Sequence, residues 1–176
     1  MFHDRILTVE HMITHHSKKP KLYLTIKEAY PRIASFCAYQ ERTQQEVRER
    51  LLDFGIDGEE AEEVLVMLME DNYLNESRFA VTYAGGKSRI KKWGKNKITQ
   101  ALKQKGISEN CIRIALQEID KETYYANLVA LAEKKLALIK ETNPLVRKQK
   151  LLQYIQTKGY ENDLVWEVLN SLEFRV

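Results

Sequence analysis

Three glycines, Gly55, Gly106 and Gly159, mark copies of one pattern, and this repetition limits the possible folds more than any other feature of the chain. They are preceded by "RERLLDF", "TQALKQK" and "LQYIQTK" and followed by "IDGEEAEEVLVMLME", "ISENCIRIALQEID" and "YENDLVWEVLNSLEF". Four places before each glycine stands Leu51, Leu102 or Ile155. Eight places before stands Val47, Ile98 or Leu151, and one place after stands Ile56, Ile107 or Tyr160. Beyond the glycine the copies align without a gap: Ala61, Ile112 and Val165, then Val64, Ala115 and Val168, then Leu65, Leu116 and Leu169, then Leu68, Ile119 and Leu172. These intervals of three, one and three draw a single apolar stripe along a helix. The glycine supplies left-handed backbone at a helix end at little cost. Two places later Asp57, Ser108 and Glu161 stand where a cap belongs. Asp and Ser cap well; Glu161 caps poorly, and Asn162 is the alternative there. Each copy therefore predicts a short helix, a tight turn and a second helix.

A further helix precedes each pair. Thr25-x-x-Glu28 forms a capping box for a helix through about Gln40, which Pro31 kinks or delays. Thr43-x-x-Glu46 opens the helix that ends at Gly55. Asn75 caps a helix from "ESRFAVTYA" to Lys92, stopped by Gly94. Within it, Gly85 and Gly86 each cost up to about 1 kcal/mol relative to alanine and put its straightness in question. Asp120 caps "KETYYANLVALAEKKLALIK", and Asn143-Pro144 restarts the chain with proline at the first helical position. The expected fold is all-α: three tandem three-helix repeats in an elongated, curved array. The boundaries read as a tail over residues 1–24 and repeats over 25–74, 75–119 and 120–176. "KLYLTI" is a lone strand-like run without a partner.

The composition agrees, with only seven glycines and three prolines in 176 residues. Cys37 and Cys111 lack the spacing of a disulfide framework or zinc site and fall at apolar helical positions, which makes them core residues. The four histidines, His3, His11, His15 and His16, all lie in the first segment. His11 and His15 would share a helical face and offer two metal ligands, but a polar tail is the plainer reading, and no metal or cofactor is expected. "GGKS" resembles the end of a phosphate-binding loop, yet Val81 stands where that loop needs glycine, and a helix replaces its strand. No apolar run is long enough to span a membrane, and the first residues lack a signal peptide's apolar region. A monomeric cytoplasmic protein without a membrane partner is expected.

The net charge of +3 conceals a segregation. Residues 41–76 are acidic, 77–108 contain no acid at all, and 121–158 are moderately basic. The candidate binding surface comprises Lys87, Arg89, Lys91, Lys92, Trp93, Lys95, Asn96, Lys97, Lys103 and Lys105, continued by Lys134, Lys135, Arg147, Lys148 and Lys150. The acid-free run lacks the i,i+4 counter-charges of an ordinary solvated helix, although a solvated face is the plain alternative. Such a surface suits a phosphate backbone, with counterion release, and would equally suit an acidic protein patch. Trp93 either stacks on a partner or packs between helices. Trp166 reads as core, and Tyr73, Tyr83, Tyr124 and Tyr125 as core or boundary. Base-specific reading is disfavoured, because the helix after each glycine presents carboxylates such as Glu59, Glu109 and Asp163.

The ordered set "YQERTQQEVRERLLDFGI", "MEDNYLNESRFAVTYA", "KKWGKNKITQALKQKGI" and "LLQYIQTKGYENDLVWEVL" resembles the RecX family, bacterial regulators of the RecA recombinase, over residues 25–175. The resemblance implies three three-helix repeats and no enzymatic activity. It implies binding along the helical groove of a RecA–DNA filament, which restrains ATP hydrolysis, strand exchange and coprotease action, with a place in DNA repair, homologous recombination and the SOS response. The basic face of the second repeat, continued by the third, is then the expected contact, with DNA touched through its phosphate backbone. "AGGKS" departs from the family, which usually continues a charged helix there, and the N-terminal extension finds no match. Two alternatives stand beside this reading: a non-specific DNA-binding protein without a filament partner, and a helical adaptor for an acidic protein.

Overall fold

The computed structural model describes residues 23–172, which contain nine α-helices and no strand. The helices fall into three triplets. The first holds α1 (Ile26–Tyr39), α2 (Gln44–Asp53) and α3 (Gly58–Glu70). The second holds α4 (Glu76–Lys91), α5 (Lys95–Gln104) and α6 (Glu109–Gln117). The third holds α7 (Lys121–Leu138), α8 (Pro144–Lys158) and α9 (Asn162–Ser171). The histidine-containing tail lies outside the described residues. Of the strand-like run, Tyr23, Leu24 and Thr25 form the lead-in to α1, with the Leu24 N–H donating to the Phe54 carbonyl at 2.9 Å.

Local chemistry starts the helices where the caps stand. Thr43 Oγ1 accepts from the Glu46 N–H at 3.1 Å, and the Glu46 carboxylate accepts from the Thr43 N–H at 3.1 Å. Asn75, Asp120 and Asn143 accept from the first-turn amides of α4, α7 and α8. Ser108 caps α6 from 3.4 Å. Asp57 and Glu161 occupy the same position without making a side-chain cap bond, and Asn162 is already inside α9. Glu161 instead accepts the Tyr124 hydroxyl at 2.5 Å. The repeat glycines take φ of 77°, 75° and 80°, as the turn requires.

Two expectations are corrected, the delay at Pro31 and the stop at Gly94. α1 starts at Ile26 and runs through Pro31. α4 is continuous through Gly85 and Gly86. Its end is a left-handed Lys92, at φ 52°, while Gly94 has an ordinary φ of −77° and begins α5. A β-carbon at Gly86 would meet open space, so Gly86→Ala should stabilise the protein by up to about 1 kcal/mol, read as a rise in the urea midpoint at unchanged slope.

Gly94 is needed for space. A β-carbon there would lie 2.2 Å from the Gly159 carbonyl and the Tyr160 nitrogen. The two turns meet backbone to backbone: Gly94 N–H donates to the Lys158 carbonyl at 2.8 Å, and Asn96 N–H to the Gly159 carbonyl at 3.0 Å. Tyr124 secures the same seam, accepting from the Lys95 N–H at 2.8 Å. Burial and the adjoining Glu161 carboxylate push its phenol up, so it stays neutral. Across this seam the second and third bundles share one apolar core, from Phe79, Ile98 and Leu102 through Leu128 to Leu151, Ile155 and Leu169.

The first bundle keeps a core of its own, around Ile33, Val47, Leu51, Leu65 and Leu68. Its junction with the second bundle is built from charges. Arg78 Nε meets Glu41 at 2.5 Å, and Lys105 Nζ meets Glu46 at 2.9 Å. Burial pushes the Glu46 carboxyl up, but the bonds from Lys105 and the Thr43 N–H outweigh it and hold the group below its ordinary 4.5. A lowered folded-state value stabilises above the unfolded value and is lost as pH falls through the folded one. The urea midpoints of wild type and Lys105→Met should therefore differ most above 4.5 and converge as the pH falls below it, through the lowered folded-state value.

Candidate binding surface

Phe79, Tyr83 and Lys87 stand at successive turns of α4, so their side chains share one face. Phe79 and Tyr83 stack with ring centres 5.7 Å apart. Lys87 Nζ lies 4.9 Å from the Tyr83 ring centre and 5.1 Å from that of Trp93. Trp93 comes just after the left-handed Lys92, and Lys97 of α5 approaches its ring at 5.0 Å. Lys97 Nζ also donates to the Thr157 carbonyl of α8 at 2.9 Å, which carries the row across the seam. On the far side Lys158 and Lys135 lie over the Tyr154 ring at 5.3 and 4.9 Å. At the near end Lys105 lies 5.9 Å from the Tyr83 ring while bonding Glu46. Lysines and rings thus alternate over two bundles.

The structure sorts the fifteen candidates rather than joining them. Lys87, Trp93, Lys97 and Lys135 belong to the row, with Lys105 at its end. Arg89, Lys91 and Lys134 are exposed, with Arg89 on the far face of α4, against Gly85. Lys92 turns inward and donates to Asn127. Asn96 serves the seam, its side chain donating to the Tyr160 carbonyl at 3.5 Å. Lys95 and Lys103 point from the other side of α5, and Lys103 pairs with Glu109 at 2.8 Å. Lys148 turns to α9, lying 5.2 Å over the Trp166 ring and donating to Asn170 at 3.1 Å. Lys150 pairs with Glu141 at 3.3 Å, and Arg147 is half-buried at the start of α8.

Two members of the row escaped the reading of the sequence, Tyr154 and Lys158. Their signal was present as an i,i+4 pair directly before Gly159, with Lys158 at the repeat position of Lys105. Trp166 corrects another expectation, being 45% exposed. It follows Val165, which is fully buried, and one residue along a helix turns a side chain about 100° away. Tyr73 is also exposed, whereas Tyr124 is buried. Cys37 is buried and its thiol is pushed up to about 11 by that burial; Cys111 is half-buried. Among the described residues no group of three His, Cys, Asp or Glu side chains is placed to hold a metal ion, and no helix is long and apolar enough to cross a membrane.

Family models of the first, second and third three-helix domains of RecX match residues 29–68, 75–116 and 122–169, in that order. The Bacillus cytotoxicus protein named regulatory protein RecX is 33% identical over 148 residues, covering 84% of this chain and 55% of that one. The Clostridium perfringens protein of the same name is 32% identical over 133 residues, covering 74% and 62%. The chain thus spans about half the length of the Bacillus relatives it matches. Among solved structures, RecX from Lactobacillus salivarius matches with a TM-score of 0.76 at 24% identity, over 84% of this chain and 96% of that one. A second, titled regulatory protein RecX, matches with a TM-score of 0.75 at 26% identity, over 84% and 72%.

Proposed function

Because the chain belongs to the RecX family of regulatory proteins, we propose that it binds a RecA–DNA filament and restrains the recombinase. It acts as a monomer in the cytoplasm, without cofactor and without catalysis of its own. The observation that carries this reading is the row Lys87–Trp93–Lys97, continued over the seam by Lys158, Tyr154 and Lys135. Positive charges in such a row suit a phosphate backbone and would release its counterions. The rings between them hold the lysines in the row through cation–π contacts. The shared core behind the row makes both bundles one rigid block, able to span neighbouring protomers of a filament. Held there, it hinders the filament changes that accompany ATP hydrolysis and entry of a second DNA.

The alternation of lysines and rings also favours a second reading, non-specific binding of bare single strands. RecA-driven strand exchange and ATPase, with and without micromolar protein, test the first reading. Both rates should fall, and binding to RecA-coated DNA should be tighter than to bare DNA. Unchanged rates would refute it, and equal affinity for coated and bare DNA would support the second.

A further inference from the structure

In the first and second bundles a groove lies beside the turn between the last two helices, and the repeats line that place differently. Counted from the repeat glycine, Arg48, Thr99 and Leu152 are equivalent, as are Glu62, Arg113 and Trp166. In the first bundle the groove between α2 and α3 encloses about 620 Å³ and is rimmed mainly by carboxylates, with Arg48 bonded to Glu62 at 2.7 Å. In the third bundle the equivalent positions hold the bulky Leu152 and Trp166, and Lys148 lies over the Trp166 ring. In the second bundle the groove between α5 and α6 encloses about 510 Å³. Its rim carries Lys95, Lys103, Arg113 and Lys121, and its floor is Ile112 and Leu116. Glu109 is the one carboxylate in the lining, and Lys103 already engages it.

We infer that the α5–α6 groove receives an acidic, leucine-bearing segment of a protein partner, with carboxylates on Lys95, Arg113 and Lys121 and an apolar side chain on Ile112 and Leu116. The charge of the rim selects an acidic ligand, and the floor selects a peptide over a nucleic acid. No aromatic ring lines this groove to stack a base, whereas rings punctuate the lysine row. The two surfaces use opposite sides of α5: Lys95, Thr99 and Lys103 lie a turn apart on one, and Lys97 points from the other toward Trp93. A segment seated in the groove leaves the row free. This site does not depend on the recombinase reading, since its own lining argues for it.

The test uses the full chain and a fluorescein-labelled helical peptide carrying glutamates on one face and leucines on the other, with a glutamine-for-glutamate peptide as control. The acidic peptide should bind, shift the methyl NMR signals of Ile112 and Leu116, and weaken about tenfold in Arg113→Glu/Lys121→Glu. Lys87→Glu should leave its affinity unchanged. Failure to bind at millimolar peptide, equal binding of the glutamine peptide, or indifference to the double reversal would overturn the inference. So would displacement of the peptide by a single-stranded oligonucleotide that moves the same methyl signals. Because the assay contains no recombinase, its failure says nothing against the filament reading.

Discussion

Gly94→Ala is expected to destabilise the second and third bundles by about 3 kcal/mol or more. The new methyl would sit 2.2 Å from backbone atoms of Gly159 and Tyr160, and backbone cannot rotate aside as a long side chain does. Relief requires the turns to part, which breaks the bonds from Gly94 N–H to the Lys158 carbonyl and from Asn96 N–H to the Gly159 carbonyl. For a cooperative block of this size the midpoint of thermal unfolding should fall by roughly 12 °C or more. Gly159→Ala should be at least as damaging. It adds a left-handed φ of 80° to a methyl 2.4 Å from the Lys97 β-carbon. Gly86→Ala serves as the contrasting control, since open space surrounds that position. Differential scanning calorimetry decides: a Gly94→Ala transition at the wild-type temperature would mean that the turns do not meet in this way.

Lys87→Glu/Lys135→Glu should weaken attachment to RecA-coated DNA and to bare single-stranded DNA by about a hundredfold at moderate salt. The two residues stand toward opposite ends of the row and neither belongs to the apolar core, so the fold should tolerate the change. Removing two phosphate contacts should also flatten the dependence of log affinity on log salt by about 1.5 for a single strand. Arg113→Glu, across α5 from the row, should have a far smaller effect on DNA. Fluorescence anisotropy over a salt series reads all three. Unaltered affinity in the double variant would remove the row from any account of binding.

The helices and their starts were legible because each is decided within a few residues. Thr43 with Glu46, Asn75, Asp120 and Asn143 make their cap bonds to amides two or three positions away. The repeat glycines likewise announce a turn that is local. What escaped depends on neighbours distant in sequence. Gly94 reads as a helix stop until Gly159 is seen against it. Lys105 reads as a free cation until Glu46, 59 residues away, is seen on it. The basic run reads as one strip, whereas α5 sends Lys97 to one side and Lys95 and Lys103 to the other. Trp166 reads as core because it stands among the apolar positions of the last helix, although the buried stripe runs through Val165, Val168 and Leu169 beside it.

The first bundle meets the second through Arg78–Glu41 and Lys105–Glu46, while its oily interior stays sealed on its own side. Parting the two breaks these ion pairs and leaves each apolar core on its own side. How often the joint opens should therefore respond to ionic strength, because the contacts that close it are screened. A protein built this way senses the electrolyte around it at one end while remaining rigid at the other.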